Sequence, residues 1–255
     1  MPQHDCCGIF VCSPLFPKHS KRALHMNIYN YNSTESLIEL LLAFKSTAVA
    51  DIQYSIEANA KEALDEIIEV LQVHNKGAVQ FDAIDVSDIA NMGMQLFDHL
   101  NYKVKRNPEY AHTLNHIVLS FSFWLGSNGG TIPQLDFVVN TLATVSNATH
   151  EKIGLEALYE VVTYIIEAVP EDIKRSSSTL GEGEPWKVLV LNYCIISTRT
   201  HNPELMSIAF DVLLKYFPAD APGFFQQGQN EMEKRDYPVQ VKTVIDGYCD
   251  KYPLA

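Results

Sequence analysis

The residues with the clearest metal-ligand chemistry are a glutamate and two histidines at helical spacing. Glu109, His112 and His116 occupy positions i, i+3 and i+7 of a segment with a helical pattern, which places them on one face. A Glu-x-x-His turn is the ligand unit of carboxylate-bridged di-iron bundles, because side chains at i and i+3 converge on one ion. These residues predict a site for iron, manganese or zinc, completed by carboxylates from other helices.

The same three residues also fit a purely structural role. The sequence contains no second Glu-x-x-His unit, and His112 is not followed by the glutamate that a zinc-protease helix requires. A glutamate in the first turn of a helix is favourable to the helix dipole in any case. A structural role is therefore the favoured interpretation, and a metal-dependent enzyme is an alternative.

The first 33 residues contain a second set of side chains of the types that bind metals. Thiolates and imidazoles are zinc and copper ligands, but two of the cysteines are adjacent and no Cys-x-x-Cys pair occurs. The set comprises His4, Cys6, Cys7, Cys12, His19 and His25. This segment has one acidic residue and three basic ones, whereas the whole chain has a net charge of −12. We expect residues 1–33 to form an irregular arm beside an all-helical domain of residues 34–255.

An acidic helix face is the second candidate functional surface. Residues 56–71 have the strongest helical pattern of the chain, with apolar side chains on one face and acidic ones on the other. The acidic side chains are Glu57, Glu62, Asp65, Glu66 and Glu69. A face of this kind is usually only solvated, but its charge would also speed association with a basic partner segment.

The sequence lacks the motifs of several other functions. There is no Gly-x-Ser-x-Gly elbow for a nucleophile and no Gly-Lys-Ser/Thr ending for a phosphate loop. A net charge of −12 without a basic patch argues against nucleic acid as a partner. No apolar run reaches the 18 or more residues that a membrane helix needs, and the N-terminus lacks the features of a signal peptide. We therefore expect a cytoplasmic protein without a membrane partner.

The elements that must position these residues are predicted to be helices almost throughout. Ser33 or Thr34 can cap the first, Ser87 can cap the third, and Trp124 and Trp186 fit the core. The predicted ranges are about 37–44, 56–71, 89–100, 109–125, 133–147, 150–169, 186–199, 203–217, 221–234 and 238–252. The fold class expected is all-α with about ten helices.

Three of the predicted helices begin with proline, at Pro133, Pro203 and Pro238, which are 70 and 35 residues apart. Each proline is followed by the same inward apolar pattern. A period of about 35 residues made of two helices is typical of helical solenoids. Residues 109–253 thus resemble HEAT and armadillo-type helical repeats. The resemblance implies antiparallel hairpins stacked as a right-handed α-solenoid, and it assigns no functional residue; a compact multi-helix bundle is the alternative.

The absence of a catalytic motif favours an interaction module over an enzyme. Helical arrays commonly present long binding surfaces. The leading hypothesis is a non-enzymatic helical-repeat module without a cofactor that binds a partner protein or peptide. The alternatives are the metal-dependent enzyme described above and a helical protein that binds a small ligand in an apolar cavity.

Overall fold

The fold is all-α, as predicted. The computed structural model describes residues 29–52, 56–132, 134–176 and 184–254, and these residues form helices and no strand. The helices are α1 (Thr34–Phe44), α2 (Ala58–Asn75), α3 (Ala83–Val104), α4 (Pro108–Ser127), α5 (Leu135–Ala148), α6 (Lys152–Ala168), α7 (Glu171–Arg175), α8 (Pro185–Arg199), α9 (Pro203–Tyr216), α10 (Ala221–Lys234) and α11 (Val239–Lys251). A π-helical turn, Lys45–Val49, continues α1.

Side-chain caps fix where several helices begin. The side chains of Ser33, Asn107 and Asn202 accept hydrogen bonds from backbone N–H groups in the first turns of α1, α4 and α9. The prediction that Ser87 caps the third helix is wrong. Asp82 caps α3 in a capping box with Asp85, and the Ser87 hydroxyl donates to the Ala83 carbonyl inside the helix.

The predicted repeat is supported only in its coarse features. Pro203 is the first residue of α9, whereas Pro238 is the N-cap of α11 and Pro133 lies outside the described residues. The short helix α7 was not predicted, because five residues are too few to show a helical period. Successive helices pack on one another, which is compatible with a helical-repeat architecture. Residues 1–28, most of the predicted arm, lie outside the described residues.

Helix α4 is the centre of the core and packs against α1, α3, α5 and α6. Its residues are buried without interruption from His116 to Leu125. Phe121 makes an edge contact with Phe97 of α3 and stacks on Trp124, which is buried as predicted. In the described part of the chain, neither α4 nor any other helix is long and apolar enough to cross a membrane.

Helix α8 joins the two halves of the described chain. It packs against α5, α6 and α9, and the predicted core residue Trp186 is buried within it. Arg199, at the end of α8, donates to the backbone carbonyls of Ser146 and Thr149 at the C-terminal end of α5. The guanidinium thereby satisfies carbonyls that α5 leaves unpaired and opposes the negative end of its dipole.

A glycine allows α3 to approach α4 closely. A Cβ atom on Gly93 would lie 2.5 Å from Cε1 of Phe121, whose ring is fully buried. Contacts with Phe97 and Trp124 oppose a movement of the ring away from α3. The contact between α3 and α4 therefore requires a residue without a side chain at position 93.

We expect Gly93→Ala to lower the free energy of unfolding by about 1–3 kcal/mol through overpacking. Gly247→Ala is the matched control, because Gly247 also lies within a helix, α11, and a Cβ there would meet nothing within 4 Å. That control should raise stability by about 0.5–1 kcal/mol, since alanine favours helix. Urea denaturation of both variants measures the difference. Equal effects would contradict the close contact.

Candidate functional site

The three predicted metal ligands have different environments. Glu109 and His112 are exposed, whereas His116 is buried within the core end of α4. The Nδ1 atom of His116 shares a 2.7 Å hydrogen bond with the Tyr31 hydroxyl, and the two rings stack. The His112 ring lies edge-on to His116 with 4.5 Å between centroids, and desolvation by the surrounding protein lowers the pKa of His112.

No third ligand joins the two histidines within the described residues. Across those ranges, no group of three or more His, Cys, Asp and Glu side chains could hold a metal ion. The arrangement instead fixes Tyr31, and so the chain before α1, onto α4. Iron, manganese or zinc binding through Glu109, His112 and His116 stays a prediction. The histidine and cysteine set within residues 1–28 lies outside the described residues.

The acidic face predicted on the second helix is partly occupied by cations of the protein itself. Glu57 accepts hydrogen bonds from His99 at 2.7 Å and from Lys103 at 3.3 Å, both on α3. A bond to its own backbone N–H and then the His99 contact lower the pKa of Glu57. Asp65 pairs with Lys45.

Three acidic residues of that face remain open. Glu62, Glu66 and Glu69 are exposed, and none of them forms an ion pair within the described residues. The face therefore presents fewer unpaired charges than its sequence predicts. It remains a predicted partner surface.

A groove between α3, α4 and α5 has a distinctive lining of polar side chains. Its volume is about 560 Å³, and a second cleft of about 500 Å³ continues it through Asp98, Asn101, Lys105 and Gln134. The α3 side of the groove is formed by Met94, Asp98, Asn101 and Lys105, spaced i, i+4, i+7 and i+11 on one helix face. From α4 come Ala111 and Asn115, and from α5 and its N-cap come Gln134, Asp136, Phe137, Asn140, Thr141 and Thr144.

The groove, defined by these residues, has four carboxamide side chains on its walls. They are Asn101, Asn115, Gln134 and Asn140. None of the four has a hydrogen-bond partner among the described side chains or backbone. Each carboxamide offers two N–H donors and one carbonyl acceptor. The groove therefore presents both donors and acceptors to a ligand, above the apolar surface of Met94, Ala111 and Phe137.

The hydroxyl of a buried threonine in the groove also lacks a protein partner. Thr141 is only 3% exposed, and its side chain has no hydrogen bond within the described residues. Most other buried hydroxyls donate to a backbone carbonyl of their own helix or turn, as Ser122, Ser146, Thr149, Ser197, Thr198 and Thr200 do. Among the described residues, the fully buried side-chain polar atom that lacks a partner is Nε1 of Trp186, so the Thr141 oxygen is open to solvent through the groove. A polar ligand in the groove can therefore reach this hydroxyl.

The charged side chains of the groove are two acids and one base. Asp98 and Asp136 are exposed and form no ion pair in the described part of the chain. Lys105 is held with Nζ 4.1 Å from the ring centroid of Tyr102, in a cation–π contact beside the second cleft. The groove therefore carries an excess of negative charge.

This groove was not predicted from the sequence. Its residues lie on three helices at the edges of their apolar faces, and only the packing of α3 and α5 on α4 brings them together. A signal existed in the polar residues at helical spacing beside the buried face of α3, from Asp98 to Lys105. Such a stripe also occurs on any solvated helix, so it could not have been distinguished from sequence alone.

Comparison of this chain with protein-family models, with curated proteins and with solved structures found no match.

We expect Tyr31→Phe to destabilise the fold by about 1–3 kcal/mol, because it leaves Nδ1 of the buried His116 without its tyrosine partner. Tyr29→Phe is the control, since the Tyr29 hydroxyl has no hydrogen bond within the described residues and its loss should change little. Thermal and urea unfolding measure both variants. Equal stability of the two would show that the Tyr31–His116 bond does not anchor the chain before α1.

Proposed function

We propose that this chain is a non-enzymatic helical-repeat module, built like HEAT and armadillo-type repeats, that binds an extended segment of a partner polypeptide in the groove between α3, α4 and α5. The observation that carries the proposal is the set of four unpartnered carboxamides in one recess. A ligand that suits them must offer donors and acceptors in turn along its length. An extended peptide backbone does so at every residue.

The position of the carboxamides supports an extended ligand over a compact one. Asn101 lies on α3, Asn115 on α4 and Asn140 on α5, so the groove contacts its ligand from three helices. Asn101 and Asn115 are half-buried, whereas Gln134 and Asn140 stand exposed at the rim. A segment lying along the groove can bond to the deeper amides and continue past the rim into solvent.

A small-ligand function fits this recess less well. Sites for small molecules have volumes of about 300–1,000 Å³ but bury most of the ligand between largely apolar walls. The groove has a suitable volume of about 560 Å³, yet nine of its twelve lining residues are polar and several of its side chains are exposed. Polar walls open to water favour a ligand whose own polar groups recur, as in a peptide.

The test begins with a displayed library of random peptides of about 12 residues, which span about 40 Å when extended. Peptides selected on the full chain are measured by fluorescence anisotropy with the Asn115→Ala/Asn140→Ala variant. We expect about tenfold or greater weakening, because each lost hydrogen bond contributes about 0.5–1.5 kcal/mol.

Asn147→Ala is the matched control for this experiment. Asn147 is an exposed asparagine on the same helix, α5, and does not line the groove. Affinity should be unchanged in this variant. Failure to select any peptide, or equal binding by the groove variant and the control, would contradict the proposed function.

A further inference from the structure

We infer that the groove selects a peptide segment with a basic side chain, Lys or Arg, which binds between Asp98 and Asp136 and donates to the Thr141 hydroxyl. This inference rests on the proposed function and specifies its ligand. The juxtaposition that carries it is that of two carboxylates and the hydroxyl of a buried threonine, which all lack a protein partner within the described residues and all belong to residues that line the same recess.

The two carboxylates come from different helices. Asp98 lies on the groove face of α3, and Asp136 lies in the first turn of α5. Other acidic side chains of the described chain have ion-pair partners, as Glu57 at the start of α2, Glu171 in α7 and Asp220 at the start of α10 do. Asp98 and Asp136 have none within the described residues. Two unpaired carboxylates from two helices that line one groove offer their charge to one cation.

Thr141 provides the observation that is independent of charge. The residue as a whole is only 3% exposed and lines the groove, and its hydroxyl, which is not among the fully buried polar atoms, has no protein partner within the described residues. A lysine ammonium has three N–H donors and an arginine guanidinium has five, and neither accepts a hydrogen bond. Two carboxylates and a hydroxyl oxygen are therefore a matched set of acceptors for such a head group.

Lys105 is the one cation that competes for this position among the described lining residues. Its Nζ atom lies over the Tyr102 ring and forms no ion pair with Asp98 or Asp136. It remains close enough to line the same groove, so it opposes an incoming cation through space. Removing its charge should therefore strengthen binding of a basic peptide, which is an effect that loss of folding cannot imitate.

The experiment uses the peptides selected on the full chain. We expect Lys or Arg to be enriched at one fixed position. One selected peptide is then synthesised with its basic residue and with Gln in its place, and both are titrated against the wild-type chain and Asp98→Asn/Asp136→Asn. The wild-type chain should prefer the basic peptide by about fivefold to twentyfold, and the variant should lose the preference. Lys105→Gln should raise affinity for the basic peptide about threefold.

The control is Asp88→Asn/Asp172→Asn, which removes two charges from outside the groove. Asp88 is an exposed residue of α3, and Asp172 lies in the first turn of the helix α7, as Asp136 does in α5. This control should keep the preference, which shows that local rather than net charge decides it. Raising the salt concentration should reduce the preference of the wild-type chain.

The outcomes separate this inference from the proposed function. Peptides that bind in an Asn115-dependent manner without a basic preference would overturn the inference and leave the proposed function standing. Failure to select peptides would overturn both. Displacement of the basic peptide by equimolar spermidine would assign the carboxylates to free polyamines, and displacement by Ca²⁺ would assign them to a metal ion; either result would overturn the inference.

Discussion

Helix α4 must be covered on every side, and the arrangement of α1, α3, α5 and α6 follows from that requirement. Its residues from His116 to Leu125 are all buried, so no face of this stretch can be left to water. The close contact of α3 at Gly93 is one consequence, since a wider separation would expose the ring of Phe121. A second is that the buried Ser122 hydroxyl donates to the Val118 carbonyl of the same helix, because water cannot reach it.

The groove forms at the end of α4 that does not have to be buried on every side. At its N-terminal end α4 has half-buried Ala111 and Asn115 in place of large apolar side chains. The helices α3 and α5 still pack on α4 but leave a recess over these smaller residues. The same packing that buries the apolar faces brings the polar edges of three helices together. The packing that forms the core thus also forms the candidate site.

Most of the fold could be predicted from the sequence, because apolar residues at helical spacing and residues such as Asn107 and Pro203 mark the helices locally. Two predictions failed for local reasons. Helix α7 spans five residues, which is too short to show a helical period. Ser87 is a residue type that caps helices, but Asp82, five residues earlier, is the N-cap of α3. The candidate site could not be predicted, because its carboxamides lie up to 39 residues apart, from Asn101 to Asn140, and only helix packing joins them. The predicted metal ligands failed to indicate this groove for the same reason, since spacing within one helix says nothing about neighbouring helices.

The central claim is that the carboxamides of the groove bond to the backbone of an extended peptide, and their own N–H resonances report this most directly. In a ¹H–¹⁵N spectrum of the labelled chain, a bound peptide should shift the side-chain NH₂ signals of Asn101, Asn115 and Asn140 and slow their exchange with water. The signal of Asn147 should stay in place. Unchanged groove signals, with shifts confined to α2 around Glu62 and Glu66, would contradict the account and place the partner on the acidic face.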